Sequence, residues 1–179
     1  MKNIILTGFM GCGKTSVGIR LSYRVRRTMT DTDRKIERLY RMSVSEIFEK
    51  MGEEAFRDME THCLEKLLEE PQGQIVAVGG GLPIRSRNRE LLKQLGWVVY
   101  LRVKPETICS RLATDTTRPL LQGEDRKEKV RALMSARGSF YESAADIMID
   151  VDGKTVDEIV DEILEKIEGG DGNYETIGD

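Results

Sequence analysis

The chain has 179 residues, 39% of them hydrophobic and 33% charged, and a formal net charge of −3. That length predicts a single domain able to bury a sizeable core. The acidic balance argues against a partner bound by broad phosphate neutralisation, so no nucleic acid is expected.

No apolar run approaches the roughly 20 residues of a membrane helix, so no membrane partner is expected either. The opening "MKNIILTGF" is too short for a signal peptide and lacks a small-residue cleavage site. "NIILTG" is a short apolar strand ending in glycine, and "KTSVGIRLSYRV" follows as a helix. A weak strand near Thr28 to Thr30 leads into a helix starting around Asp31. "SVSE" places Ser43 and Glu46 in a capping box that opens the next helix. Gly52 interrupts it, and "EEAFRDMETHCLEKLLEE" continues as a long amphipathic helix containing His62, the single histidine. His62 reads as an ordinary helix residue, so any base must come from the carboxylates or lysines.

"QIVAVGGG" is a buried-type strand with a triple-glycine exit. "SRNRELLKQLG" is a helix with Ser86 as its cap and Gly96 as its stop, "WVVYLRV" is the fourth strand, and Pro105 starts another helix. The polar, aperiodic stretch "ATDTTRPLLQGED", residues 113–125, is as long as loops become when they serve as lids. A helix from Arg126 to Ser143, the strand "DIMIDV" and a helix capped by Thr155 and Glu158 complete the order. Residues 169–179 are Gly-rich and acidic and are expected to be disordered. Strands alternating with helices predict an α/β fold with a mainly parallel sheet, which binds ligands at the carboxyl ends of its strands. Cys12, Cys63 and Cys109 are odd in number and lack metal-ligand spacing, which fits a reducing cytoplasm.

"GFMGCGKT", Gly8 to Thr15, matches G-x-x-x-x-G-K-[ST] in full and sits between a strand and a helix, as that motif requires. Gly11, Cys12, Gly13, Lys14, Thr15 and Ser16 then form the nucleotide phosphate site. Backbone N–H groups and the positive helix end face the phosphates, Lys14 bridges the β- and γ-phosphates, and the Thr15 hydroxyl ligates magnesium. Cys12 occupies a variable position, although a helix N-terminus favours a reactive thiolate. A kinase, a switch GTPase and an ATPase all fit such a loop. The guanine-reading N/T-K-x-D is absent, which removes the switch. The third strand runs into "VAVGGG" and carries no terminal acid, so a metal needs another anchor. In "TMTDTDRKIE" Asp31 is the nearest candidate, and Asp33 is left for a second task; either acid could instead cap the following helix.

Taken together, the loop, "DTD", "GEEAFRDME", "GGG", "RPLL" and "ARGSFY" resemble shikimate kinase over roughly residues 1–165. The resemblance implies a five-stranded parallel sheet in the order 2-3-1-4-5, flanked by helices, with a mobile lid. It implies one kinase domain over residues 1–168, acting as a cytoplasmic monomer on ATP and shikimate. Magnesium is the implied cofactor, and the product is shikimate 3-phosphate. By that likeness Lys14, Asp33 and Arg118 are catalytic; Thr15 and Asp31 serve the metal; and Asp33 meets the substrate hydroxyls. Arg57 and Arg137 bind the substrate carboxylate, for which a planar guanidinium fork is suited. Gly79, Gly80 and Gly81 bring bare backbone N–H groups to the substrate, Gly80 foremost. Arg118 in the lid reaches the transferring phosphate, Arg111 stacks on adenine, and the loop at Asp152 to Thr155 closes the adenine slot. Glu60 either orients Arg57 or forms an ordinary i, i+3 surface pair with it.

Two positions depart from the family pattern. Arg26 stands where a helix-ending glycine is usual, so that turn is expected to end differently. Met29 replaces an aromatic and can fill similar space. The rivals are a gluconate or nucleoside monophosphate kinase of the same fold, and a regulatory nucleotide-binding module without transfer activity.

Overall fold

A computed structural model describes residues 1–112 and 125–171. Five parallel strands form one sheet in the order β2-β3-β1-β4-β5, as the resemblance implied. They are β1 (Asn3–Thr7), β2 (Met29–Asp31), β3 (Ile75–Ala77), β4 (Gly96–Arg102) and β5 (Ile147–Asp150). The helices are α1 (Lys14–Arg24), α2 (Thr32–Tyr40), α3 (Val44–Glu69), α4 (Ser86–Leu95), α5 (Pro105–Arg111), α6 (Arg126–Ala144) and α7 (Val156–Asp171). A short 3-10 turn spans Leu82–Ile84.

Because helices cover both faces, the central strand is buried at every residue, with the apolar run Ile4, Ile5 and Leu6 at its middle. Ile4 and Leu6 face one apolar cluster, with Val17 and Leu21 of α1 and Ile163 of α7. Ile5 faces the other, with Leu64 of α3 and Leu92 of α4. The ladder register then fixes the functional edge. Leu6 of β1 and Asp31 of β2 are both partnered with Ala77 of β3, so three strands end in one row.

Both capping boxes are present, Ser43 with Glu46 and Thr155 with Glu158. Gly52 breaks α3 with φ 86° and ψ 168°, as its position suggested. Ser86, by contrast, is no cap. Arg85 occupies that position without a side-chain cap and is tied to α3 through Glu54 (2.8 Å) and Asp58 (2.6 Å), so tertiary ion pairs place this helix start. Gly96 stops α4 and begins β4 without a loop, and a Cβ there would overlap the Asn3 carbonyl. The last helix runs to Asp171, into the segment expected to be disordered; residues 172–179 lie outside the described residues.

The turn after α1 corrects another expectation. Arg26 takes the left-handed conformation (φ 52°), with Arg26 N–H donating to Tyr23 (3.4 Å) and Arg27 N–H to Ser22 (3.0 Å). Those two bonds are the pattern a glycine normally closes, so the turn keeps its form and the arginine bears the strain. Met29 lies against Gly18, where a Cβ would meet its Cε at 2.7 Å, so the flexible thioether fills the space over α1.

Arg26 is exposed, so relief of that strain should outweigh the greater freedom of glycine in the unfolded chain. Arg26→Gly should stabilise the protein by about 0.5–1 kcal/mol, a Tm gain of roughly 1–4 °C, checked by thermal or urea unfolding.

Candidate active site

The row of strand ends holds two groups of residues. At the end of β1, Gly8 to Gly13 curl back beneath the start of α1. Gly13 caps that helix in the left-handed region (φ 103°) and provides no side-chain hydrogen bond, so the first N–H groups of α1 have no side-chain cap and point toward the place of an anion. Gly8 has no room for a Cβ, which would lie 2.7 Å from Leu101 O and 2.9 Å from Cys12 Sγ. Lys14 Nζ donates to the carbonyls of Gly8 (2.8 Å) and Phe9 (3.1 Å), folded over its own loop. Cys12 is buried beneath the loop at 1% exposure and gives its N–H to Phe9 O. It is a packing residue, not an accessible thiol. Ser16 lies on the exposed side of the same first turn.

Asp31 caps α2, the alternative its position allowed, and also meets Thr15. Its Oδ1 accepts from Arg34 N–H (3.2 Å) as the N-cap of α2, and its Oδ2 accepts from the Thr15 hydroxyl (3.5 Å). One carboxylate oxygen and one hydroxyl oxygen therefore face each other beside the phosphate loop. Magnesium takes one or two protein oxygens and fills its other positions with water and phosphate oxygens, so this donor pair fits it. No group of three or more acidic, histidine or cysteine side chains able to hold a metal occurs among the described residues, so no all-protein cage competes for that task.

The second group is buried. Arg57 (6% exposed) donates through Nη1 to Glu60 (2.7 Å) and through Nη2 to Glu53 (2.8 Å), and its guanidinium lies near the rings of Phe56 and Phe48. Glu60 is wholly buried, so the pair is an orienting contact and not the surface pair that was its alternative. Burial opposes the Arg57 charge, yet Glu60 and Glu53 outweigh it and hold the guanidinium above its ordinary pKa. For Glu60 burial wins. Its carboxyl is pushed up to about 7 by desolvation, with Asp33 adding to the rise and Arg57 and Arg137 opposing it.

The triple glycine is the spacer around which these side chains fit. A Cβ at Gly79 would lie 2.5 Å from Asp33 Oδ1 and 2.8 Å from Glu60 Oε1, and one at Gly81 would overlap the Arg57 guanidinium. The Gly79 N–H is not bare, because it donates to Thr32 Oγ1 (3.1 Å). Gly80 O accepts from the Tyr141 hydroxyl (2.5 Å). Tyr141 lies one helical turn after Arg137, which is itself buried (5% exposed). Burial raises the Tyr141 pKa, with the Arg137 guanidinium opposing the rise, so the hydroxyl stays a donor. Residue order alone did not single out Tyr141 or Glu53; only the fold brings them to the glycines and the arginine.

Arg111 donates to Gly11 O (3.1 Å), which places it beside the phosphate loop. Asp152 accepts from Lys104 N–H (2.9 Å) and the Thr107 hydroxyl (2.5 Å), so its side chain is spent capping α5. Arg118 and all but the last residue of the expected lid lie outside the described residues.

The family model for shikimate kinase matches residues 10–168. The chain belongs to the shikimate kinase family. It is 41% identical over 168 residues to a shikimate kinase from Thermodesulfovibrio yellowstonii, covering 94% of this chain and 96% of that one. It is 44% identical over 162 residues to one from Geobacter sulfurreducens, covering 90% and 88%. Among solved structures, the shikimate kinase from Acinetobacter baumannii in complex with shikimate superposes with a TM-score of 0.92 at 37% identity, covering 97% of this chain and 96% of that one. The family's members are small-molecule kinases, and the two-part site above has the form that such an enzyme needs.

Glu60 makes stability depend on pH. Its native pKa of about 7 exceeds the ordinary 4.5, so between those values the native state keeps a proton that the unfolded chain releases. Its contribution to stability is intact below 4.5 and is lost as pH rises through about 7. Glu60→Gln cannot ionise, so its Tm should gain on that of the unsubstituted protein across this window and show no further gain below it, as scanning calorimetry at a series of pH values would show.

Proposed function

We propose that the chain transfers the γ-phosphoryl group of ATP to the 3-hydroxyl of shikimate, giving shikimate 3-phosphate and ADP on the route to chorismate and the aromatic amino acids. The observation that carries this reading is a phosphate loop set beside a buried, pre-oriented arginine fork on one row of strand ends. A phosphate loop alone fits any nucleotide enzyme. The fork answers a planar carboxylate, which shikimate has and a nucleoside monophosphate lacks; gluconate carries one too and is separated from shikimate by the assay below.

Phosphoryl transfer asks mainly for positioning and charge stabilisation. Lys14 exchanges the carbonyls of Gly8 and Phe9 for the β- and γ-phosphates, and the first N–H groups of α1 bind the same phosphates. Thr15 and Asp31 are the residues that would hold magnesium, which supplies neutralising charge to the phosphate oxygens. Asp33 accepts the hydrogen bond, and finally the proton, of the 3-hydroxyl. Arg57 and Arg137 clamp the carboxylate, while Gly79, Gly80 and Gly81 let Asp33 and Arg57 approach, with Tyr141 fixing the turn at Gly80. Arg111 lies along the nucleotide. Arg118 completes the charge at the transferring phosphate in this reading, a role carried by the resemblance alone. The enzyme works as a cytoplasmic monomer, in keeping with its free cysteines.

A coupled ATP assay offering shikimate, gluconate and nucleoside monophosphates tests the reading directly: turnover should occur with shikimate, and equal turnover with the others would sink it. In the same assay Asp33→Asn should lose turnover by more than about a hundredfold while nucleotide binding persists. Asp31→Asn should instead raise the magnesium concentration needed for half-maximal rate. An identical magnesium defect in both variants would refute the separate roles.

The glycine spacer provides another test. Gly81→Ala forces the Arg57 guanidinium to move, and losing one arm of a charge-assisted clamp costs about 1.5–3 kcal/mol. Shikimate binding should weaken roughly ten- to a hundredfold, with ATP binding unchanged, as calorimetry with each ligand alone would show.

A further inference from the structure

We propose that Tyr141 is a positioning residue for the acceptor: its hydroxyl selects one of two orientations open to the Gly80–Gly81 peptide, and so decides whether a donor or an acceptor faces the substrate carboxylate. This deepens the reading of the strand-end row as a site for a carboxylated acceptor, and it rests on that reading.

Gly79 to Leu82 form a β-turn, closed by the Leu82 N–H donating to Gly79 O (3.1 Å). Gly81, the third residue of that turn, has φ −97° and ψ −9°, the values of a type I turn. Rotating the central peptide by half a turn gives the type II form, which needs a positive φ at the third residue. Most side chains oppose that change, but glycine adopts either sign of φ about as readily. Both central residues are glycine for reasons of space. A Cβ at Gly81 would overlap the Arg57 guanidinium, and one at Gly80 would lie 3.3 Å from Met10 N and 3.4 Å from Gly8 O of the phosphate loop. Making room for the arginine and the loop therefore leaves the central peptide without a local lock.

Tyr141 supplies that lock from α6. Its hydroxyl donates to Gly80 O at 2.5 Å. Its ring is buried, with the Tyr100 ring centroid 5.2 Å away, so the hydroxyl is delivered from a fixed place. In a trans peptide the N–H points opposite to the C=O. Holding Gly80 O on Tyr141 therefore turns the Gly81 N–H the other way, and that N–H has no acceptor among the described residues. Gly81 itself sits on the Arg57 guanidinium, so a carboxylate gripped by that fork meets the N–H as a further donor. In the flipped turn the same carboxylate would meet the Gly80 carbonyl oxygen and be repelled. Arg137, one helical turn before Tyr141, interacts with the same hydroxyl, so the second arm of the clamp and the peptide share one anchor. The structural alternative is that the hydroxyl only satisfies a buried carbonyl, and the turn keeps its form without it.

Tyr141→Phe separates these cases, because it keeps the ring against Tyr100 and removes only the hydroxyl. Calorimetry with each ligand alone should show shikimate weakened roughly five- to thirtyfold and ATP held within about twofold. The penalty should shrink for the methyl ester of shikimate, which brings no carboxylate charge to the Gly81 N–H. Unchanged shikimate affinity in a variant whose Tm has fallen would overturn the proposal, and so would an equal loss for ATP or for the ester. The unsubstituted full-length protein gives a reading that does not depend on the variant folding. In amide NMR, saturating shikimate should move the Gly81 resonance and slow hydrogen exchange of its N–H, whereas ATP alone should not slow it. A Gly81 amide indifferent to shikimate would overturn the proposal. Failure of the unsubstituted protein to turn over shikimate would instead remove the broader reading, so the two failures are distinguishable.

Discussion

The site depends on one constraint, the register in which β2 and β1 both pair with β3. Because Leu6 and Asp31 share Ala77 as a partner, the phosphate loop, the paired acids and the triple glycine leave the sheet at the same height. A shift of one residue in β2 would turn each of its side chains to the opposite face of the sheet. Asp31 could then neither cap α2 nor meet Thr15.

On that row the protein buries charges it could have left in water. Arg57, Glu60 and Arg137 are almost wholly covered, and a buried ion pair of this kind rarely adds net stability. What it gives is a fixed fork. An exposed arginine would have to surrender side-chain freedom on binding each substrate molecule, whereas Arg57 is already held by Glu53 and Glu60, its guanidinium seated where only glycine leaves room. The elevated Glu60 pKa belongs to the same arrangement, because the burial that orders the fork also penalises the second negative charge beside it.

Element order, the phosphate loop and both capping boxes were legible in the sequence because each rests on chemistry confined to a few adjacent residues. Ser86 misled because its competitor is distant: Arg85 is anchored by two acids of α3, and no local pattern announces that contact. Arg26 misled in the opposite way. The missing glycine was visible, but whether the backbone or the residue would yield is decided by how firmly the two flanking hydrogen bonds close the turn. The triple glycine announced a close approach without saying of what. Two of its three positions serve protein side chains that reach past them, and Gly79 spends its N–H on Thr32. Glu60 could be paired with Arg57 by counting residues, but its burial and its nearness to Asp33 depend on α2 and α3 meeting across the end of β3.

The two halves of the site also differ in how they hold themselves before any ligand arrives. At the nucleotide end the two side chains expected to meet phosphate and cation have replaceable internal partners. Lys14 rests on two carbonyls of its own loop, and Thr15 rests on Asp31. These contacts lie at or near the surface, and a polyphosphate with its cation offers a stronger partner to each. At the acceptor end Arg57, Glu60 and Arg137 are buried, and Arg57 is held by two carboxylates and packed against Gly81, so this fork cannot be exchanged cheaply. A nucleotide end whose contacts can be exchanged can admit a large, highly charged co-substrate, while an acceptor end held by buried contacts can select a small one by shape and charge. The catalytic burden then falls on the boundary between them, where Asp31 and Asp33 stand two residues apart. Asp31 belongs to the nucleotide half, and Asp33 stands beside the buried Glu60 of the acceptor half.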